Sequence, residues 1–377
     1  MANAKPLAIF DGHNDVLLSL HLPERGKGRS FFKRGTQGHL DLPRAKKGGF
    51  AGGFFAVFVP NEPSAQTGRP PKSKKVGDPY AFPLAPALTL SYAQPVAMAV
   101  TASLFKLEAE AAGQLKVVRT ADELETCLRT GVLAAVLHFE GAEAIDPGLD
   151  ALYVFHQAGL RSLGPVWSRP TAFAHGVPFQ FPHSPDTGPG LTDAGRELVR
   201  TCNRLGILLD NSHLNERGFW DLAGLTDAPI VATHSCAHAI CPVTRNLTDK
   251  QLDAIGESDG IVGVNFATSF VRPDSANDAD TPLSMIVDHV AYIAERIGIE
   301  HVGLGSDFDG AQVPAALGDA AGLPRLVAAL RTRGFDDAAL RKIAHENWVR
   351  VLRKTWKPLE QHATAQHATA QHATAGV

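Results

Sequence analysis

Short apolar runs alternate with amphipathic stretches along the whole chain. Runs at 8–10, 53–59, 134–139, 162–166, 207–209, 230–233, 261–265 and 302–305 read as strands. Between many of them apolar residues recur at helical spacing. The pattern predicts a helix over 193–205 with Thr192 as its N-cap, and another over 284–297 closed by Gly298. Residues 336–354 read as one or two final helices. Parallel strands need helical crossovers, and eight strands are the number that closes a (β/α)8 barrel. The alternative is an open doubly wound sheet, which usually carries a glycine-rich phosphate loop after its first strand. Here the first strand runs instead into Asp11-Gly12-His13-Asn14-Asp15.

Two segments interrupt the repeat. Residues 61–86 are rich in Pro, Lys, Gly and Ser, and residues 168–190 in Pro, Phe and His. Each follows a candidate strand, so in a barrel both rim the C-terminal face; ordinary surface loops are the plainer alternative. The expected organisation is one barrel domain over 1–356 and a disordered tail over 357–377, where QHATA occurs three times.

Composition narrows the classes further. The chain has 377 residues, is 44% hydrophobic and carries a formal charge of -3. A large core is available, and no general positive field exists for nucleic acid or an anionic membrane. The lysines at 72–75 read as a solvated loop tip. The apolar run before Asp11 is too short for a signal peptide, and no stretch suits a membrane span. Cys127, Cys202, Cys236 and Cys241 show no CxxC spacing, so a cytoplasmic protein with reduced thiols is expected. With 16 histidines, His is the residue type to follow.

In a barrel, chemistry gathers where strands end. The first candidate strand ends in His13 and Asp15, which point the same way on an extended chain. Others end in Glu140, His213, His234 and Asp307. Three histidines and three carboxylates at one end of five strands match the ligands of catalytic zinc. Buried together without a metal they would be costly to desolvate. They exceed what one tetrahedral ion needs, so two ions sharing a carboxylate fit better. Glu143 competes with Glu140 but lies beyond the strand; Asp309 competes with Asp307 but lies farther from the strand end. His138 reads as structural, and His238 as peripheral.

DGHND, HFEG, DNSH, THS, the following Arg-Asn and SDFDG occur in that order between residues 11 and 310. This succession resembles the renal (membrane) dipeptidase family of zinc metallopeptidases, of the amidohydrolase superfamily of TIM barrels. The stretch VWSRPTAFAHGVPF looks like a bacterial branch of it. The resemblance implies a dipeptidase with two Zn2+ and a bridging water or hydroxide. His13 and Asp15 would hold one zinc, His213 and His234 the other, and Glu140 would bridge them. Asp307 would shuttle protons and Arg245 would bind the substrate. His and carboxylate ligands suit other divalent metals too. The substrate would be a dipeptide, with a D-residue tolerated on its C-terminal side, and the enzyme a homodimer.

The substrate contacts depart from the family pattern. Trp167 stands where relatives often carry a carbonyl-binding His, and Phe270 where they carry a Tyr. His175 is positioned to reach back through the loop in place of the missing His. These departures motivate a second reading, in which the same barrel acts on another amide, a lactam or a phosphoester. A third is a non-enzymatic binding protein on a degenerate barrel.

Overall fold

The structure is a computed structural model and describes residues 6–22, 28–62 and 78–356. The tail repeats, the lysines at 72–75 and most of the first interrupting loop lie outside the described residues.

Eight parallel strands form the centre: β1 (Ile9–Asn14), β2 (Phe50–Phe58), β3 (Leu133–Glu140), β4 (Leu160–Gly164), β5 (Leu208–Leu209), β6 (Val231–Ser235), β7 (Ile261–Val264) and β8 (Val302–Leu304). Their order is β5-β4-β3-β2-β1-β8-β7-β6, and a parallel bridge between Asp210 and Val231 joins the two ends. The result is the expected (β/α)8 barrel, nearly closed. A further short strand, Leu115–Val117, pairs alongside β3 outside this order.

Local chemistry sets the helices. The helix Asp193–Leu205 begins where the Thr192 side chain accepts from the Gly195 N–H. It ends at Gly206, whose φ of 65° few side chains tolerate. The helix Ser284–Ile297 also has the expected bounds. The final helical stretch is Asp337–Arg341 and Asn347–Thr355 joined by a π-helical turn, Lys342–Glu346.

That last helix supplies the barrel floor. Trp348 is fully buried against Phe10 and Phe54, and its indole N–H donates to the Leu304 carbonyl at 3.3 Å. Strand glycines make the room: a Cβ on Gly303 would lie 2.5 Å from the indole nitrogen, and one on Gly12 would lie 2.7 Å from its ring. The two interrupting loops meet on the opposite side. Tyr80–Ala81 pairs antiparallel with Gln180–Phe181, which ties one loop to the other.

Candidate metal centre and active site

The C-terminal mouth collects the six side chains expected there. Between Asp11 and Asn14, β1 advances three residues while β2 advances from Gly53 to Phe55. This bulge re-aims side chains locally, a role that strict alternation along an extended strand does not anticipate. His213 and Asp307 both adopt left-handed backbone, with φ of 68° and 58°. Such conformations cost about 1–3 kcal/mol each and persist where surrounding structure over-determines them. Here the surroundings are explicit. The Asp11 carboxylate accepts from Ser306 N at 2.6 Å and from its hydroxyl at 2.8 Å, and Asp307 N donates to the His13 carbonyl at 3.0 Å. The first and last strands are thereby tied at the site.

Glu140 sits at the centre. Its Oε2 lies 3.6 Å from His13 Nε2, and its Oε1 lies 3.1 Å from His213 Nε2 and 3.6 Å from His234 Nε2. His13 Nε2 is also 3.3 Å from Asp15 Oδ2. The ligand atoms of His13, Glu140 and His234 fall within 4.8 Å of one another, and so do those of His13, Asp15 and Asp307. Two of the imidazoles are held from behind. Ser168 Oγ is 2.9 Å from His213 Nδ1, and Thr233 Oγ1 is 2.8 Å from His234 Nδ1. Both rings therefore turn Nε2 inward, the two nitrogens 3.2 Å apart.

The electrostatics are those of carboxylates and imidazoles buried together. Burial pushes the Glu140 carboxyl up to about 7, with the His13 charge opposing, and burial also raises Asp307. For His13 burial acts downward, yet Glu140 and Asp15 outweigh it and hold the imidazole well above its usual range. Burial, then the positive charge of neighbours, keeps His213 and His234 well below theirs. Among the described residues no Lys or Arg forms an ion pair with Asp15, Glu140 or Asp307, whose recorded partners are His and Asn265. The donor set fits divalent cations: buried imidazole nitrogens aimed inward and carboxylate oxygens awaiting positive charge. A Cβ on Gly310 would overlap Asp15 Oδ2 and Asp307 Oδ1, so only glycine leaves the centre open.

Above Glu140 lies a cavity of about 150 Å3 lined on one side by Asp15, Glu140, His213 and Asp307. Phe58, Trp167, Phe179 and Phe270 form an aromatic wall. Phe58 and Phe179 each meet Trp167 edge to face, and Phe179 stacks on Phe270 at 6.2 Å. Trp167 and Phe270 are thus brought to the centre. Arg245 is buried beside it: its guanidinium lies 5.6 Å from the Phe270 ring and donates to Ser235 Oγ and the His234 carbonyl. Arg245 Nε is buried without a protein partner. His175 is not among the lining residues; its carbonyl accepts from Asn215 N.

The competing carboxylates lie elsewhere. Glu143 faces Arg169 at 3.5 Å, and Asp309 is bound by Arg29 and by the His39 backbone.

The model of the membrane dipeptidase family, peptidase family M19, matches residues 3–366. The chain belongs to that family. A metallopeptidase from Rhodobacter sphaeroides, solved with a phosphinate mimic of the dipeptide L-Ala-D-Ala, is 52% identical with a TM-score of 0.87; the alignment covers 93% of this chain and 100% of that one. A second solved M19 metallopeptidase, dipeptidase AC, is also 52% identical, with a TM-score of 0.86 over 93% of this chain and 99% of that one. Dipeptidase ataJ of Aspergillus terreus is 30% identical over 92% of this chain and 84% of its own length. An uncharacterised protein from the pqqA 5' region of Klebsiella pneumoniae is 50% identical over 68% of this chain and 94% of its own. Membership in M19 indicates a metallo-dipeptidase, a hydrolase.

Several residues of the site are not evident from sequence spacing. Asn265 donates to Asp307 Oδ2 at 3.0 Å. Its signal was present, since it ends a candidate strand as the ligands do. Phe58 and Phe179 carried no such signal, because an aromatic in a strand or loop reads as core. Ser168 and Thr233 act through hydrogen bonds that spacing does not reveal.

Proposed function

We propose that the chain is a binuclear zinc dipeptidase that hydrolyses the single amide of a dipeptide, a D-residue being tolerated on the C-terminal side. The observation that carries this is Glu140, with one oxygen facing His13 and the other facing His213 and His234. His13, Asp15 and Glu140 would hold one cation, and Glu140, His213 and His234 the other; other divalent metals suit the same donors. Two such cations, when bound, would supply an acidified water as nucleophile and would polarise the scissile carbonyl.

The chain's own groups supply the rest. Asp307, raised by burial and lying beside His13 and Asp15, takes the proton of the attacking water and passes it to the leaving amine. Asn265 fixes the orientation of the Asp307 carboxylate for that transfer. Arg245, with its Nε unpartnered, offers a donor to the substrate carboxylate. The aromatic wall, including Trp167 and Phe270, packs against the substrate and excludes water.

The bound molecule of the Rhodobacter sphaeroides relative supports a dipeptide substrate. No helix of the described residues is long and apolar enough to cross a membrane. The four buried free cysteines support a reducing, cytoplasmic setting. The proposal includes one domain over 1–356, a homodimer, and no nucleic-acid partner.

The aromatic wall also motivates a second reading, in which the same centre cleaves another amide, a lactam or a phosphoester. The test is a metal-supplemented assay against L-L and L-D dipeptides beside those classes, with metal counted per chain. Dipeptide turnover lost on chelation and about two metals per chain are expected. Full activity after complete metal removal refutes the mechanism; turnover of only another class decides for the second reading.

A further inference from the structure

Asp210 lies beside the metal centre yet touches none of its inward-facing atoms. It sits on the barrel's closing seam, where its own bridge to Val231 is the recorded pairing of β5 with β6. Its side chain is buried, 1% exposed, and fully engaged. Oδ1 accepts from Ser212 N at 2.9 Å and from Thr233 N at 2.8 Å. Oδ2 accepts from the Thr233 hydroxyl at 2.6 Å, the short distance of a charge-assisted bond. His138 Nε2 stands 3.8 Å away.

The direction of these bonds decides something at His234. A carboxylate has no proton to give, and a hydroxyl has only one. With that proton committed to Asp210, Thr233 Oγ1 meets His234 Nδ1 at 2.8 Å as an acceptor. His234 must then carry its proton on Nδ1, and Nε2 presents a bare lone pair toward Glu140. Only that tautomer can ligate a metal through Nε2.

We propose that Asp210 is a positioning residue that selects the ligating tautomer of His234 by orienting the Thr233 hydroxyl. It acts through Thr233 and touches neither substrate nor metal. Its two backbone bonds add a second effect, because they hold the segment leading to His213 against the strand bearing His234. The inference rests on the dipeptidase reading only for the identity of His234 as a ligand.

Asp210→Asn tests it in the full-length protein. The asparagine Oδ1 keeps the two backbone N–H donors, which leaves Nδ2 facing Thr233 Oγ1. The amide now donates, the hydroxyl turns, and its proton points at His234 Nδ1. Zn2+ and Co2+ affinity, measured by chelator competition, should fall about 10- to 100-fold. In the metal-free protein, imidazole 15N shifts should move the His234 proton from Nδ1 to Nε2. Thr233→Val removes the relay, and in that background Asp210→Asn should add little; Thr233→Ser should restore wild-type affinity.

Wild-type affinity in Asp210→Asn, an unmoved His234 proton, or an equal loss with and without the Thr233 hydroxyl would each overturn the inference. If Asp210→Asn does not fold, Thr233→Val against Thr233→Ser decides, and equal metal affinity in those two overturns it. A wild-type protein that retains no metal would instead refute the binuclear mechanism, and the 15N shifts would still test Asp210.

Discussion

His289 should make stability depend on pH in a window set by its own pKa. It lies in the helix Ser284–Ile297 and is completely buried. Its Nδ1 accepts from Ala237 N at 3.1 Å, and its Nε2–H donates to the Val271 carbonyl at 3.1 Å. Both nitrogens are therefore satisfied in the neutral ring, and a second proton would point at an N–H. Burial pushes the pKa down to about 4 from 6.5, against the Val271 bond and the Asp288 charge, which raise it. Because the folded value is the lower one, the unfolded chain binds the extra proton first. The contribution is fully present above pH 6.5 and is lost as pH falls toward 4. At about 1.4 kcal/mol per pKa unit, this shift is worth about 3 kcal/mol. His289→Gln keeps a donor and an acceptor but does not titrate. The two metal-loaded proteins should be unfolded in urea at half-unit steps from pH 8 to 4.5. Taking their difference at each pH cancels the histidines they share. That difference should stay level down to about pH 6.5 and then shrink steeply; a constant difference across the series would refute the reasoning.

Asp307→Asn removes the proton carrier while keeping the Asn265 contact, so kcat should fall by about 10²–10⁴ with metal content unchanged, read by steady-state kinetics beside elemental analysis. Gly310→Ala forces a methyl onto Asp15 and Asp307; a displacement of about 1 Å there should lower kcat/KM by about 10²-fold, while the circular dichroism spectrum stays that of the wild type. Trp348→Ala empties the barrel floor far from the chemistry and should cost about 3–5 kcal/mol in a urea titration, with KM of the remaining folded enzyme unchanged. Equal stability of that variant and the wild type would mean that the indole does not fill the floor.

The barrel was legible because each parallel strand reads as a short apolar run and each crossover as a helical period. Short strands were legible too: Leu208–Leu209 falls inside a run set off by Gly206 and Asp210. The first strand extends farther than its apolar run, through His13 to Asn14, because the polar residues there meet partners from β2 and from the segment after β8: Asn14 donates to the Phe54 carbonyl, and Asp11 accepts from Ser306. The ligand candidates stood out because His, Asp and Glu are rare at the ends of buried strands. What stayed hidden depends on contacts between distant segments. The ladder between Tyr80–Ala81 and Gln180–Phe181 has two residues a side, too few for any period. Trp348 looks like any apolar residue of an amphipathic helix, and nothing local says that it faces strand glycines. His175 was the opposite case, a polar residue near the right segment whose backbone alone makes its recorded bond.

The barrel floor also orders events during synthesis. Asp11 in β1 needs Ser306, and Gly12, one residue later, needs Trp348. A ribosome adding about 5–20 residues per second finishes the last of these roughly 20 to 70 s after the first. Through that interval β1 has emerged with neither its β8 neighbour nor its floor, and its buried-strand sequence is exposed to solvent. Until the helix Asn347–Thr355 is made, the nascent chain therefore exposes the apolar surface and unpaired strand edges that favour aggregation. A ribosome that stops short of Trp348 releases a polypeptide that already carries all six expected site residues but has no plug on which to pack them.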